Sequence, residues 1–493
     1  MDIGKNMRQL QRVIARYQHT ARGPWINRLP DFAKYSYLKP VSEGLALYLY
    51  DALKPFPTGS KHVNPQHYYH NKTVLVDNYA KRSAHPVSLT QLAQILDDSK
   101  KLTERQVIGS GKFVKEELAI RLALKLNELQ QLPFCVVNNY HLAQVYESYY
   151  DIFERIRKFP TIRTLNDNTR FCEFLKALYT EFNTLNLPHL IMGSLECTML
   201  DLYPIQKTDE LLSSLLRARI SRRLIVEEHL SLTSNYMSGK RKNTLILGDI
   251  FKLCSAREYI EDATRTCGNF IKNMYYETIP LPEVKIEGEA DLHLYFLPSH
   301  MRYLLGEVLR NVFEATVMKM IREGLTKPEP IVITLAKNPD YYIFKISDRA
   351  GGLMHDCANI WSFGKNKERA TESLRNFHRL IGKKSTSVYE HLYSKHHSGD
   401  ELGHARPYMK TSLGATSNFD ISTGNLGFSR SLIELLERPS RFKLGVGLAM
   451  CKVYADYWNG DLTLHSMPGY GCDTVLTLGN LMKHTKRLQL DRV

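Results

Sequence analysis

The 493-residue chain contains no run of about 18 consecutive apolar residues, so no segment of it is long and greasy enough to span a bilayer as a helix. Its 8 cysteines stand singly, at 135, 172, 197, 254, 267, 357, 451 and 472, with no C-x-x-C pair and no histidines at zinc spacing. That scatter excludes zinc modules and disulfide scaffolds and reads as reduced thiols in a non-secreted protein. No paired E-x-x-H appears either, which leaves the helical segments without a metal signature. What is present is ordinary for a globular protein: 43% apolar and 24% charged residues, which exclude whole-chain disorder and collagen. At roughly 100–200 residues per domain the length predicts two to four domains.

The net charge of +15 is unevenly placed. Residues 1–86 carry 13 Lys/Arg against 5 Asp/Glu, and residues 365–443 carry 14 against 8, so the remainder is close to neutral. A nucleic-acid-binding fold would wear its basic stripe on a folded domain, so nucleic acid is excluded as a partner. Residues 1–25 lack acids apart from Asp2, while Arg8, Arg12 and Arg16 recur every four residues beside Leu10, Val13 and Ile14. A basic amphipathic helix of this kind reads as a mitochondrial transit peptide, and the same composition also suits a solvated basic helix. Residues 26–86, rich in Tyr, Pro and His, read as an irregular lead-in.

Residues 87–235 have helical periodicity. Ser88 offers an N-cap ahead of Leu92, Ile95 and Leu96. Val114, Leu118, Leu122 and Leu129 alternate with charges over 112–132, and Pro133 closes the run. Further helical stretches fall at 140–158, 168–185 and 209–232. Four long amphipathic helices predict an antiparallel bundle whose Leu and aromatic stripes are core.

Residues 245–485 carry the chemistry. On a helix over 300–325, Glu307, Asn311 and Glu314 fall within about 60° of one another. A polar stripe of this kind lines a cleft or faces solvent. Strands at 331–335 and 342–347 flank an Asn338-Pro339-Asp340 turn, and the second runs into Asp348-Arg349-Ala350-Gly351-Gly352. A carboxylate at a strand end beside glycines can accept a hydrogen bond from an adenine amino group, or can sit in a plain turn. Nearly a hundred residues later Gly445-Val446-Gly447-Leu448 opens a helix over 447–458. Glycines at a helix start let backbone N–H groups approach phosphate, which the helix dipole also favours. Strands at 461–465 and 474–478 enclose Pro468-Gly469-Tyr470-Gly471-Cys472-Asp473. Each glycine cluster alone is a common turn; their order is more specific.

That order resembles the ATP-binding fold shared by histidine kinases, gyrase-type topoisomerases, heat-shock ATPase chaperones and mismatch-repair ATPases. The helical half narrows the resemblance. Glu116-Glu117-Leu118-Ala119-Ile120-Arg121-Leu122-Ala123, Arg219-Ile220-Ser221-Arg222-Arg223 and Glu228-His229-Leu230 look like segments of the mitochondrial α-ketoacid dehydrogenase kinases. So do Leu297-Pro298-Ser299-His300, Ile346-Ser347-Asp348-Arg349 and Asp461-Leu462. The resemblance runs collinearly over 87–480 and implies an α+β protein, a four-helix bundle followed by a histidine-kinase/gyrase-like ATP-binding α/β sandwich, with 366–440 as a long lid. It implies a kinase that phosphorylates serine on the decarboxylase α subunit of a dehydrogenase complex in the mitochondrial matrix, using ATP and Mg²⁺. Carried over residue by residue, Glu307 becomes the general base and Asn311 the Mg²⁺ ligand. Asp348 becomes the adenine acceptor, Gly352 the close approach to the base, and Lys443, Gly445, Val446, Gly447 and Leu448 the phosphate loop. The implied partners are the lipoyl domain of the acyltransferase core and a second kinase subunit, identical or related.

The long lid and lead-in look like fungal members, for which the pyruvate complex is the expected substrate. The branched-chain complex is the alternative, since Leu132-Pro133-Phe134, Lys158-Phe159-Pro160 and Tyr303 look nearer that kinase. A catalytically silent nucleotide-binding subunit is a second alternative, motivated by departures from the family pattern. Lys443, Ala350, Glu314 and Cys472 stand where the family has Gly, Gly, Arg and Thr, and the tail lacks the pyruvate-type Asp-Trp pair. A true histidine kinase fits less well, because Leu-Ser-Leu-Thr follows His229. Glu314 and Lys443 are changes of opposite sign beside one triphosphate, which suggests a charge exchange. Lys443→Gly alone is then expected to weaken ATP binding in a fluorescent-nucleotide titration; an unchanged affinity rejects the exchange.

Overall fold

The computed structural model describes residues 71–85, 102–137, 139–239, 250–275, 278–289, 291–353, 357–364, 366–384 and 445–484. The expected transit peptide, most of the lead-in, the Ser88 cap, the lid beyond 384 and Lys443 lie outside the described residues.

Four long helices come first: α1 (Glu104–Gln130), α2 (Tyr140–Lys158), α3 (Leu165–Met199) and α4 (Ile205–Ser238). Their starts are written in the sequence. Thr103 and Gln106 form a reciprocal capping box on α1, and Thr164 and Asp167 do the same on α3. The Asn139 side chain accepts from the first N–H groups of α2, and Gly239 ends α4 in the left-handed region at φ 60°. Each of the four packs against others, α1 touching α2, α3 and α4. Their apolar rows, including Leu118, Leu122, Phe153, Phe171, Leu215 and Ile220, are buried together.

The third helix is much longer than the 168–185 expected, running through Pro188 to Met199. Proline forfeits one backbone hydrogen bond but keeps a helical φ. The buried Leu187, Leu190, Ile191 and Leu195 around it hold the chain in register. Burial overrides a local break here.

The second half is built on a five-stranded sheet in the order β2-β4-β5-β7-β6, with β2 (Val284–Gly288), β4 (Ile331–Lys337), β5 (Tyr341–Ser347), β6 (Asp461–Met467) and β7 (Gly471–Gly479). β2 and β4 are parallel and the other pairs antiparallel. A small sheet pairs β1 (Lys252–Ser255) with β3 (His293–Phe296). The β4–β5 hairpin closes on Asn338, whose Oδ1 accepts from the N–H groups of Asp340 and Tyr341 at 2.9 and 2.6 Å. Alternation puts Ile331, Ile333, Leu335, Phe344, Ile346, Leu462, Leu476 and Leu478 on the buried face.

Among its helices, α5 (Ala256–Met274), α6 (Pro298–Glu323) and α8 (Gly447–Tyr457) pack beside one another. α8 packs on β6, β7 and α6, and α5 packs on α6, where the Arg310 guanidinium lies over the Phe270 ring at 5.2 Å. α7 (Lys367–Lys384) stands apart from them and packs on α3. Its root is tied to the helical half: Asp209 Oδ1 accepts from the N–H groups of Phe363 and Gly364 at 2.8 and 3.3 Å, and Lys367 pairs with Asp201 at 3.0 Å.

Glu117 and Arg121 form a buried charge pair in the helical half. Glu117 accepts from Arg121 Nε at 2.8 Å and from His85 N at 2.9 Å, and Arg121 also donates to the His85 carbonyl at 2.6 Å. This pins the segment before α1 to the helix. Removing one partner strands the other in an apolar surround. Glu117→Leu is therefore expected to cost about 3–5 kcal/mol in urea unfolding. Glu117→Leu with Arg121→Leu is expected to recover most of the loss.

Candidate active site

The helix α6 carries the polar stripe. It begins with Pro298 at its first position after Leu297 and ends at Gly324, in the left-handed region at φ 65°. Glu307 is fully buried, Asn311 is exposed and Glu314 is half-buried. The stripe therefore passes from the interior to an open face within two turns.

α6 and α8 lie antiparallel, with contacts at successive turns. The His300 and Tyr454 rings approach to 4.7 Å, Tyr303 Oη lies 3.5 Å from Met450 Sδ, and Glu307 meets Gly447. A Cβ on Gly447 would stand 3.0 Å from the Glu307 Cδ and closer still to Oε2. Only glycine leaves that carboxylate its place at the start of α8. The chain enters the helix through Gly445, whose φ of +71° lies in the left-handed region, and through buried Val446; half-buried Leu448 follows, packed against the core. Sequence reasoning thus placed Glu307, Gly445, Val446, Gly447 and Leu448 together, and the structure brings them together. Lys443 lies outside the described residues, so the expected Glu314–Lys443 exchange has no geometry here.

The second glycine cluster gathers at the other end of α6. Asp348 is buried, and its Oδ1 accepts from the N–H groups of Ala350 and Cys472 at 2.8 and 3.3 Å. Its Oδ2 makes no hydrogen bond among the described residues. A Cβ on Gly471 would collide with the backbone carbonyl of Asp348, which fixes glycine where β7 begins. Gly352, at φ +70°, lies so close to the Met467 carbonyl that a Cβ there would be 2.4 Å from it. The Ser466 hydroxyl accepts from Leu353 N at 2.7 Å. Cys472 contributes backbone groups on both sides: its N–H to Asp348 Oδ1 and its carbonyl to Asp348 N at 2.9 Å.

Three contributors escaped the sequence reading. Lys319, three turns beyond Glu307, donates to the Arg349 carbonyl at 2.8 Å and so ties α6 to the Asp348 loop. Thr474 is a buried hydroxyl in the row it shares with Leu476 and Leu478 on β7; the T-x-L-x-L alternation was the available signal. Trp458, at the end of α8, donates its indole N–H to His300 Nδ1 at 2.9 Å across 158 residues, and nothing local announces it. Glu307 and Lys319 are twelve residues apart, about 18 Å along a helix, so α6 spans both glycine clusters.

A family model described as mitochondrial branched-chain alpha-ketoacid dehydrogenase kinase matches residues 86–251. Over 483 residues the chain is 60% identical to pyruvate dehydrogenase (acetyl-transferring) kinase 2, mitochondrial, of Saccharomyces cerevisiae, covering 97% of this chain and 98% of that protein. It is 26% identical over 418 residues to the human mitochondrial isozyme 4 of that kinase, covering 82% and 83%. To the Arabidopsis thaliana mitochondrial kinase of the same name it is 24% identical over 399 residues, covering 79% and 90%.

Burial pushes the Asp348 carboxyl above the usual carboxylate range; the N–H groups of Ala350 and Cys472 pull it down, nearby Asp473 raises it further and Lys319 lowers it. A raised value means that the folded protein holds this proton more tightly than the unfolded chain does. The site therefore adds stability when protonated and loses it as pH rises through the folded value. Asp348→Asn, whose Oδ1 can still accept both N–H groups, is expected to be more stable than the wild type at neutral pH. Urea unfolding at pH 7 and pH 4.5 checks this, with the advantage shrinking at the lower pH.

Proposed function

This chain belongs to the mitochondrial α-ketoacid dehydrogenase kinase family, and from that footing we propose that it is a pyruvate dehydrogenase (acetyl-transferring) kinase. In the mitochondrial matrix it transfers the γ-phosphoryl group of ATP to serine on the decarboxylase α subunit and so inactivates the complex. The observation that carries the reading is the buried Glu307 carboxylate held at the glycine-lined start of α8.

The residues divide the work along α6. Asp348 Oδ2 accepts from the adenine amino group, and Gly352 lets the base lie close to the strand ends. The N–H groups of Gly445 and Val446, which lead into α8, and of Gly447 and Leu448, which open it, have no earlier helical carbonyls to bind and face the phosphates, with Lys443 at the head of the cluster. Glu307 accepts or orients the proton of the attacking serine hydroxyl, a task worth about 10²–10⁴ in rate for a well-placed base. Asn311 fits a magnesium ion: its exposed amide oxygen is a hard donor, and Mg²⁺ is usually bound through one or two protein oxygens plus substrate phosphates. When bound there, the ion neutralises charge on the phosphates during transfer.

On this reading α1–α4 (Glu104–Ser238) form the bundle domain expected over 87–235, and 245–485 form a histidine-kinase-like ATP-binding sandwich, whose lid is the part of 366–440 that follows α7. The family also implies the lipoyl domain of the acyltransferase core as docking partner and a dimer with an identical or related kinase. The branched-chain complex is the competing substrate, favoured by the name of the family model that matches 86–251.

Purified protein, radiolabelled ATP and Mg²⁺ are to be offered the pyruvate and branched-chain decarboxylase components separately. The expected result is serine labelling of the pyruvate component, lost at least a hundredfold in Glu307→Gln with ATP binding retained. Labelling of the branched-chain component alone would reassign the substrate. No labelling of either, with ATP still bound, would make the protein a silent regulatory subunit.

A further inference from the structure

Three consecutive residues at the end of α8 reach two different parts of the molecule. Asp456 forms an ion pair with Arg217 of α4. Tyr457 Oη shares a hydrogen bond of 3.1 Å with Ser221 Oγ, also on α4, and both groups are buried. Trp458 turns the other way and donates its Nε1–H to His300 Nδ1, on the first turn of α6. The indole is fully buried, edge-on to the rings of Phe251 and Phe296 at 5.6 Å each.

The same helix begins at Glu307. Seven residues, about 10 Å of helix, separate His300 from Glu307 on α6. Thus α8 is held against α6 at both ends, by a hydrogen bond at its last turn and by the glycine contact at its first. The missing side chain at Gly447 lets the start of α8 lie directly against the carboxylate, since a Cβ there would stand only 3.0 Å from the Glu307 carboxyl carbon. A shift of α8 along its axis would carry its first N–H groups past the carboxylate.

His300 suits the part. It is completely buried, and burial together with Arg223 and Arg219 of α4 holds its pKa well below the usual imidazole value. The ring is therefore neutral, with Nδ1 accepting from the indole and the proton on Nε2. Trp458→Phe keeps an aromatic ring in the cluster and loses the donor together with the five-membered part of the indole, so its effect is read beside that of a packing variant.

We infer that Asp456–Tyr457–Trp458 is a positioning clasp for phosphoryl transfer: anchored on α4, it sets the register of α8 against α6 and with it the place of Glu307. The inference rests on the reading of Glu307 as the base. These three residues act through Glu307 and do not touch the reacting atoms.

Steady-state kinetics of the full chain with the decarboxylase component test it, alongside thermal unfolding. Trp458→Phe is expected to lower kcat roughly tenfold and to raise KM for ATP several-fold, because a displaced α8 carries its phosphate-facing N–H groups with it and a misplacement near 1 Å can cost up to about a hundredfold. Tyr457→Phe, which removes one oxygen, is expected to lower kcat several-fold. The double variant is expected to fall by less than the product of the two, because both act through one register. Phe251→Leu supplies the packing comparison: it thins the same aromatic cluster and should lower the unfolding midpoint without changing kcat.

A kcat for Trp458→Phe within twofold of wild type overturns the clasp. So does a loss that tracks the fall in unfolding midpoint along the line set by Phe251→Leu, or an unaffected Tyr457→Phe. Glu307→Gln, assayed in parallel, separates the two levels. An active Glu307→Gln rejects Glu307 as the base; an inactive Glu307→Gln beside a normal Trp458→Phe rejects the clasp alone.

Discussion

The close approach of Glu307 to Gly447 is the constraint around which the second half of the protein is arranged. A buried carboxylate is expensive unless something favourable faces it. The start of a helix supplies oriented N–H groups and the positive end of a dipole, provided the backbone can come near enough. Glycine at 447 permits that approach, and the contacts of Tyr303 with Met450 and of His300 with Tyr454 and Trp458 continue the same alignment turn by turn. The position of one side chain thus depends on the packing of two whole helices.

The sheet end of the site obeys a related rule with different atoms. Asp348 is sandwiched where β5 and β7 run out, and glycines at 352 and 471 stand where a side chain would strike backbone carbonyls. Backbone cannot swing aside as a long side chain can, so these positions are more restrictive than Gly447, whose neighbour is the end of a glutamate. The hydrogen bond from Lys319 to the Arg349 carbonyl then relates this end of the site to α6. One rigid helix measures the distance between the two clusters, which suits a ligand of fixed length.

Glycine clusters were legible in the sequence because close approach and positive φ leave a local trace: few other residues fit, so the requirement is written at the position itself. The order of helix, strand-end carboxylate and helix start was legible for the same reason. The capping boxes at Thr103 and Thr164 are equally local but went unread, the expected cap Ser88 lying outside the described residues; the four long helices were found through their apolar period. What stayed hidden is long-range. Ser221 and Tyr457 are 236 residues apart, and neither carries any mark of the other. The extension of α3 through Pro188 was hidden too, because burial on both sides outweighs a missing donor. The charge of Lys443 and Glu314 could be noticed in the sequence, but only one of the pair falls within the described residues.

The two halves also differ in how they carry charge. In the helical half, Glu117 with Arg121, and Arg223 with Glu227 at 2.7 Å, are buried i,i+4 pairs within one helix, of little net gain in stability. At the Asp348 end the carboxylate is buried without a side-chain cation hydrogen-bonded to it, answered by two backbone N–H groups alone. The fold therefore bears a local cost that an asparagine would relieve. A carboxylate with one oxygen committed to the backbone and the other left without a partner among the described residues is poorly arranged for stability and well arranged for a neutral donor such as an exocyclic amine. Ligand binding at that oxygen would return part of what folding gave up, coupling occupancy of the site to the stability of the strand ends that frame it.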